Sequence, residues 1–322
     1  MNATYSPPLT EAGRAGSFIP ERLSEERAAH VGLARRAATA SVATALVLAG
    51  AKGWAAAATG SVAMLGSLAD TGLDLMASLI TLYAVRVAAE PADREHRFGH
   101  GKAEAIAALV QTVLISLSAL FLMGQGLLKL AAPQPVTAPE YGVGASVFAI
   151  IATGALVLYQ RSVVERTGSL AIQTDSLHYQ SDLLLNVAVI AALLIEGLGG
   201  FGAADPLFGI AIALWLGRGA WQSGRRAVDM LMDREWPELQ RQQLLNLISE
   251  MPDVGGVHDL RTRQAGDQHF VQFHLTVDPE LSVASGHDIA EAAEAMVLRH
   301  YPGADVLIHI DPDDEHERRT PE

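Results

Sequence analysis

Residues 105–128 read AIAALVQTVLISLSALFLMGQGLL, 24 positions without one charged side chain. A helix rises by about 1.5 Å per residue, so roughly 20 apolar residues cross a hydrocarbon core in which every backbone polar group must be bonded internally. This stretch therefore reads as a membrane-spanning helix. Outward from it the same pattern recurs. Tyr141 to Gln160 is another uncharged run, Ala37 to Ala51 is bounded by Arg35, Arg36 and Lys52, and Gly60 to Val85 carries only Asp70 and Asp74. Two further helices, from about Thr174 to Ile195 and from about Pro206 to Gln222, are separated by the glycine-rich EGLGGFGAADP.

Lys and Arg collect on the cytoplasmic side of membrane proteins, which tests the count. Arg35 and Arg36 precede the first span, and Arg86, Arg94, Arg97 and Lys102 lie between the second and third. Arg161 and Arg166 separate the fourth from the fifth, and Arg218, Arg225 and Arg226 end the sixth, while the alternate loops carry only Lys52 and Lys129. Six transmembrane helices with both termini cytoplasmic satisfy the pattern. The first 36 residues lack the apolar core of a secretory signal and read as a cytosolic tail.

After Trp236-Pro237 the composition becomes that of a soluble module. Pro237 to Met251 is helix-like, 256–263 and 269–277 alternate as strands, Ala284 to Tyr301 is helical, and 306–311 forms a last strand. The expected organisation is an N-terminal tail (1–30), a six-helix membrane domain (31–226), a small α+β domain of αββαβ order (227–312) and a disordered tail (313–322).

The mean hydropathy of +0.22 is unusual for a soluble protein, and a net charge of -13 without a basic stripe argues against nucleic acid as a partner. The absence of cysteine excludes thiolate metal sites and disulfides, so any metal must bind nitrogen and oxygen. No nucleotide-binding motif occurs.

Asp70 and Asp74 stand four residues apart on the second span, and His178 and Asp182 repeat that spacing on the fifth. Each pair projects from one helix face, one turn apart. Ionisable groups inside a membrane are expensive and functional by default, and three carboxylates with one imidazole suit a tetrahedral divalent cation. In the loop after the second span, PADREHRFGH brings Asp93, His96 and His100 together if it coils. His309 and Asp311 share one face of a strand, and His274 lies on the polar face of another.

GSLADTGLD and DSLHYQSD, joined by PADREHRFGHGKAEA and followed by HDLRTRQAG, resemble the cation diffusion facilitators, specifically their bacterial zinc and ferrous-iron efflux branch. The likeness covers nearly all the chain outside the tails. It implies six transmembrane helices followed by a ferredoxin-like cytoplasmic domain, a homodimer in the bacterial inner membrane, and a transport site of Asp70, Asp74, His178 and Asp182. It also implies a second zinc site at Asp93, His96 and His100, and a binuclear site at His258, His274, His287, His309 and Asp311 that ties two cytoplasmic domains together. Ile310 departs from the polar Gln of close relatives. A charge pair between Lys102 and Asp233 near the dimer seam is implied too. His269, His300 and His316 are read as surface histidines.

Metal must displace protons from an imidazole and carboxylates, so metal and protons compete for such a site. The expected function is export of Zn2+, with Fe2+ or Cd2+ as further substrates, in exchange for protons, with Zn2+ also structural in the cytoplasmic domain. A membrane metalloenzyme fits less well, because four ligands close the site and no H-E-x-x-H occurs. A membrane-anchored metal sensor is the third reading.

Overall fold

The computed structural model describes residues 21–59, 62–131, 140–199 and 203–313. Six long helices come first: α1 (Glu21–Thr59), α2 (Val62–Ala88), α3 (Ala103–Ala131), α4 (Glu140–Thr167), α5 (Leu170–Gly199) and α6 (Ala204–Leu231). Of the described helices, four are long and apolar enough to cross a membrane: Ala28–Ala58, Ser67–Ala88, Ala103–Ala131 and Val147–Thr167. The expectation of six is thus met by four on composition. α5 and α6 have comparable lengths of 30 and 28 residues but are interrupted by Asp175, His178 and Asp182, and by Arg218, Arg225, Arg226 and Asp229. α1 begins at Glu21, within the stretch expected as an N-terminal tail, where its Glu, Arg and Ala residues are good helix formers, and residues 1–20 lie outside the described residues. The expected disordered tail lies, from residue 314 on, outside the described residues.

The bundle is built inside out relative to a soluble protein. Large apolar side chains such as Tyr83, Leu120, Phe121, Leu158 and Trp221 point outward and are exposed, as suits a lipid solvent. Small and polar residues point inward, including Ala37, Ser41, Ser78, Thr81, Ala108, Gln111 and Gln160. α3 and α6 lie along each other because small residues let them, with Ile115, Ala119, Leu216 and Ala220 packed in one cluster. α5 packs between α4 and α6, so its polar residues face protein. Ala34, Leu82, Val163 and Ile172 join α1, α2, α4 and α5 at the end nearest the α+β domain.

That domain consists of α7 (Glu238–Ser249), β1 (Gly256–Ala265), β2 (Gln268–Val277), α8 (Val283–His300) and β3 (Asp305–Pro312). The order is the αββαβ that the alternation predicts. β1 and β2 form an antiparallel hairpin whose tight turn uses Gly266 at φ +63°, and β3 joins β2 in parallel, giving the order β1-β2-β3. One sheet face is apolar: Val271, Phe273, Leu275 and Val277 of β2 are buried against Leu244 and Ile248 of α7 and Ala293 and Val297 of α8. Burying each such side chain contributes roughly 1.5–3 kcal/mol, so this face fixes the register. By period two, the other face carries Gln272, His274 and Thr276.

The domain meets the helices along a narrow seam. Lys102, just before α3, reaches Asp233 at 2.9 Å and the last α6 carbonyl, Leu231 O, at 3.3 Å. Arg263 on β1 also pairs with Asp233 at 3.3 Å, and its guanidinium stacks over Phe98 and Phe270 at 4.6 and 4.2 Å. Gly101 lies directly against the backbone of Ala265 and Gly266.

Candidate metal centre

Three groups of ligand-type side chains form among the described residues, each with donor atoms within 4.8 Å of one another. The first lies between α2 and α5. His178 and Asp182 follow each other by one turn on α5, and Asp74 faces them from α2, with His178 Nε2 2.8 Å from Asp74 Oδ1 and 3.9 Å from Asp182 Oδ2. All three are half-buried. The contact between His178 and Asp74 requires one proton between nitrogen and oxygen, at the place a dication would occupy. Asp70, the fourth residue of the expected quartet, is not brought into this group. It is exposed one turn along α2, because helix rotation aims Asp74 at α5 more directly than Asp70. Beside it, Lys52 of α1 donates to Thr71 Oγ1 at 2.7 Å.

The second group is Asp93, His96 and His100 in the loop between α2 and α3. The loop does coil: Asp93 accepts the backbone N–H of Glu95 at 2.8 Å and of His96 at 2.6 Å, a local turn that holds its carboxylate beside both imidazoles. His96 Nδ1 and His100 Nε2 each lie 3.5 Å from an Asp93 oxygen and 3.1 Å from each other. The His96 backbone N–H foremost holds the Asp93 carboxyl below its ordinary range, which keeps it in the ligating form. All three are open to solvent to some degree, as a weak, exchangeable site requires.

The third group sits on the polar sheet face. Strand register sets His258, His274 and His309 side by side across β1, β2 and β3. Asp311 gathers them: its Oδ2 is 2.8 Å from His274 Nδ1 and 3.3 Å from His258 Nε2, and its Oδ1 is 3.1 Å from His309 Nε2. His287, expected in this set, instead pairs with Glu291 on α8 at 3.1 Å and does not join. Ile310 lies on the opposite face and packs against the core, so that departure does not touch the histidine row. Asp259 was not foreseen. It occupies the β1 irregularity at φ 48° and stands 3.8 Å from His274.

Two further residues depart from the reading of the sequence. His269 is not a surface histidine: its ring meets Trp236 edge-on at 5.2 Å, its Nδ1 is buried without a partner, and burial lowers its pKa. Asp175 is fully buried among polar side chains of the bundle. It completes an i, i+3, i+7 stripe with His178 and Asp182, a signal present in the sequence. His300 is exposed and bonded only to Met296 O, and His316 lies outside the described residues. Lys102 and Asp233 are brought together as expected. Partial burial alone would raise Asp233, but the Lys102 hydrogen bond and the charges of Lys102 and Arg263 hold it below its ordinary range.

Comparison with known proteins identifies both parts of the chain. Residues 38–232 match the cation efflux transmembrane domain, and residues 236–313 match the cation efflux protein cytoplasmic domain. The chain is 46% identical over 254 residues to the cation-efflux pump FieF of Yersinia pestis strain Pestoides F, covering 79% of this chain and 84% of that one. It is 45% identical over 282 residues to FieF of Salmonella arizonae, covering 87% and 93%. A structure of CzrB in its Zn form shares 30% identity over 26% of this chain and 97% of that one, at a TM-score of 0.25. The helical membrane domain and cytoplasmic α+β domain of this chain are those of a divalent-metal transporter rather than an enzyme, and the chain belongs to the cation diffusion facilitator family of cation-efflux proteins.

Proposed function

We propose that this protein exports Zn2+ from the cytoplasm in exchange for protons, through a transport site formed by Asp74, His178 and Asp182 with Asp70 as the outer ligand. The observation that carries this reading is the 2.8 Å contact of His178 Nε2 with Asp74 Oδ1. A dication that binds both atoms must take the place of the shared proton, so metal entering from one side releases a proton and a proton entering from the other expels metal. One imidazole among carboxylates favours Zn2+, with Cd2+ and Fe2+ next, over the harder Mn2+.

All six long helices cross the membrane in this reading. α5 does so because Asp175, His178 and Asp182 are buried or half-buried among neighbouring helices, and in α6 Asp205, Arg225, Arg226 and Asp229 lie toward the helix ends. The membrane is the bacterial inner membrane, and both termini are cytoplasmic. The working unit is a homodimer joined through the α+β domain, where His258, His274, His309 and Asp311 bind structural zinc. Asp93, His96 and His100 form a weaker zinc site in the loop.

Flux into proteoliposomes of Zn2+, Cd2+, Fe2+ and Mn2+, with and without an imposed pH gradient, tests the proposal. Zn2+ uptake should rise with the gradient and fall at least about a hundredfold in Asp74→Ala, in line with the loss of a metal ligand. Flux indifferent to the gradient overturns the exchange, and undiminished flux in Asp74→Ala overturns the site.

A further inference from the structure

Among the described residues, Asp175 sits in a dense hydrogen-bond network of the helical bundle and belongs to none of the three ligand groups. Its side chain is completely buried, and among the described residues no Lys or Arg pairs with it. Hydrogen-bond donors surround it instead. Oδ1 lies 3.4 Å from Ser78 Oγ, 3.4 Å from Thr81 Oγ1 and 3.5 Å from Gln111 Nε2, while Oδ2 accepts from Gln160 Nε2 at 2.7 Å. Gln160 Nε2 also reaches Ser41 Oγ at 2.9 Å, and the Tyr179 hydroxyl bridges Ser78 Oγ at 2.8 Å and Ser41 O at 3.1 Å. Five helices, α1 to α5, meet in this network.

Its position gives the network a role. Ser78 follows Asp74 by one turn on α2, and Asp175 precedes His178 by three residues on α5. On both helices that direction leads to the α+β domain: α2 runs into the loop whose Phe98 stacks on Phe270, and α5 starts next to Ser169, Gly266 and Asp267, which line one cavity. A metal ion reaching Asp74 and His178 along the α2–α5 seam from that side has to pass between Ser78, Thr81 and Asp175. In the structure those side chains touch and are inaccessible.

The geometry points to Asp175 as a positioning residue for transport: by hydrogen bonding, and not by contact with the ion, its carboxylate closes the domain-facing side of the α2–α5 seam, and each transport cycle makes and breaks that closure. This rests on the reading of Asp74, His178 and Asp182 as the transport site. Removing the carboxylate takes away the acceptor that four buried donor groups share, leaving each only its other bond to Ser41, Tyr179, Thr81 or the Ala77 carbonyl, and opens a polar gap that favours admitting water into the seam. Asparagine is different. It keeps the shape and one acceptor, and the unpartnered Gln160 Oε1 can accept from its new N–H by a turn of the amide.

The chain has no cysteine, so a single thiol introduced by Ala77→Cys, buried between Asp74 and Ser78, reports on the seam. Its reaction with a membrane-impermeant maleimide supplied from the domain side should be at least about tenfold faster in Asp175→Ala than in the parent, and nearly unchanged in Asp175→Asn. Proteoliposome flux should show turnover falling about tenfold or more in Asp175→Ala, with the Zn2+ concentration for half-maximal rate within about threefold, and Asp175→Asn restoring turnover. Should Asp175→Ala fail to fold, the pair Ser78→Ala with Thr81→Val removes two of the donors and should raise labelling in the same direction. Equal labelling in the parent and in these variants overturns the proposal, as does an Asp175→Asn as inactive as Asp175→Ala, since charge rather than hydrogen bonding would then matter. Labelling needs no metal. Retained Zn2+ flux in Asp74→Ala therefore defeats the transport-site reading alone, while the thiol still judges the seal.

Discussion

Replacing Gly101 by alanine sets a methyl carbon 2.2 Å from Ala265 O, 2.6 Å from Ala265 C and 3.2 Å from Gly266 N. All three are backbone atoms, so no rotamer change relieves the overlap. To reach ordinary van der Waals distance, the start of α3 and the β1–β2 turn must separate by about 1 Å. Overpacking of this kind costs roughly 1–3 kcal/mol, and the upper end applies where backbone meets backbone. The ties across the seam are weaker singly. Lys102 and Asp233 are 35% and 41% exposed, which limits their pair to about 0–1 kcal/mol, and the stacking of Arg263 on Phe98 and Phe270 adds about 0.5–1 kcal/mol. Gly101→Ala should therefore part the domain from the helices without unfolding either, whereas Lys102→Ala should only loosen the seam. Spin labels on Glu165→Cys and Val283→Cys, both exposed in an otherwise cysteine-free chain, would measure the separation by double electron–electron resonance. A longer, broader distance distribution is expected in Gly101→Ala and a nearly parental one in Lys102→Ala. An unchanged distribution in Gly101→Ala, with unchanged thermal stability, refutes the reasoning.

Three other outcomes follow from the same contacts. Burial holds His269 below its ordinary pKa, so the unfolded chain takes up a proton near pH ~6.5 while the folded one waits for lower pH; the domain should lose up to about 1.4 kcal/mol per pH unit as pH falls from there through the folded value, and His269→Phe should remove this slope in hydrogen exchange of β2. Asp233 is depressed as well, so its contribution runs in the same direction at lower pH: it is complete above about pH 4 and lost only in stronger acid, so the label separation should stay constant between about pH 5 and 8. Phe273→Ala, which empties a fully buried site in the sheet core, should destabilise the α+β domain by about 3–5 kcal/mol, measured by urea unfolding of the full chain in detergent.

The long apolar runs disclosed α1 to α4, because a bilayer imposes a length and a composition that few other environments require. The strands and helices of the α+β domain were legible from period two and period 3.6, and the expected bounds fall within a few residues of the observed ones. His269 was legible as well. It shares the parity of Val271, Phe273 and Leu275, and that periodicity, rather than its polarity, decides where it points. Asp70 and Asp74 illustrate the limit. An i, i+4 spacing places two side chains on one face, but the rotation and tilt of α2 against α5 decide which of them reaches His178, and those come from tertiary packing. The donors that reach Asp175 come from α2, α3 and α4, so no local pattern announces them. Asp259 depends on an irregularity in strand pairing, which is also a property of the assembled sheet.

α5 bears on how such a chain is made. Its inward face carries Thr174, Asp175, Ser176 and Ser181, all buried by neighbours, so in the proposed six-span arrangement the first half of this helix gains little from contact with lipid and much from contact with other helices. In that arrangement, earlier helices already in the bilayer favour its release beside them during synthesis, so that α1 to α4 would serve as an intramolecular insertion platform for the segment that bears the histidine.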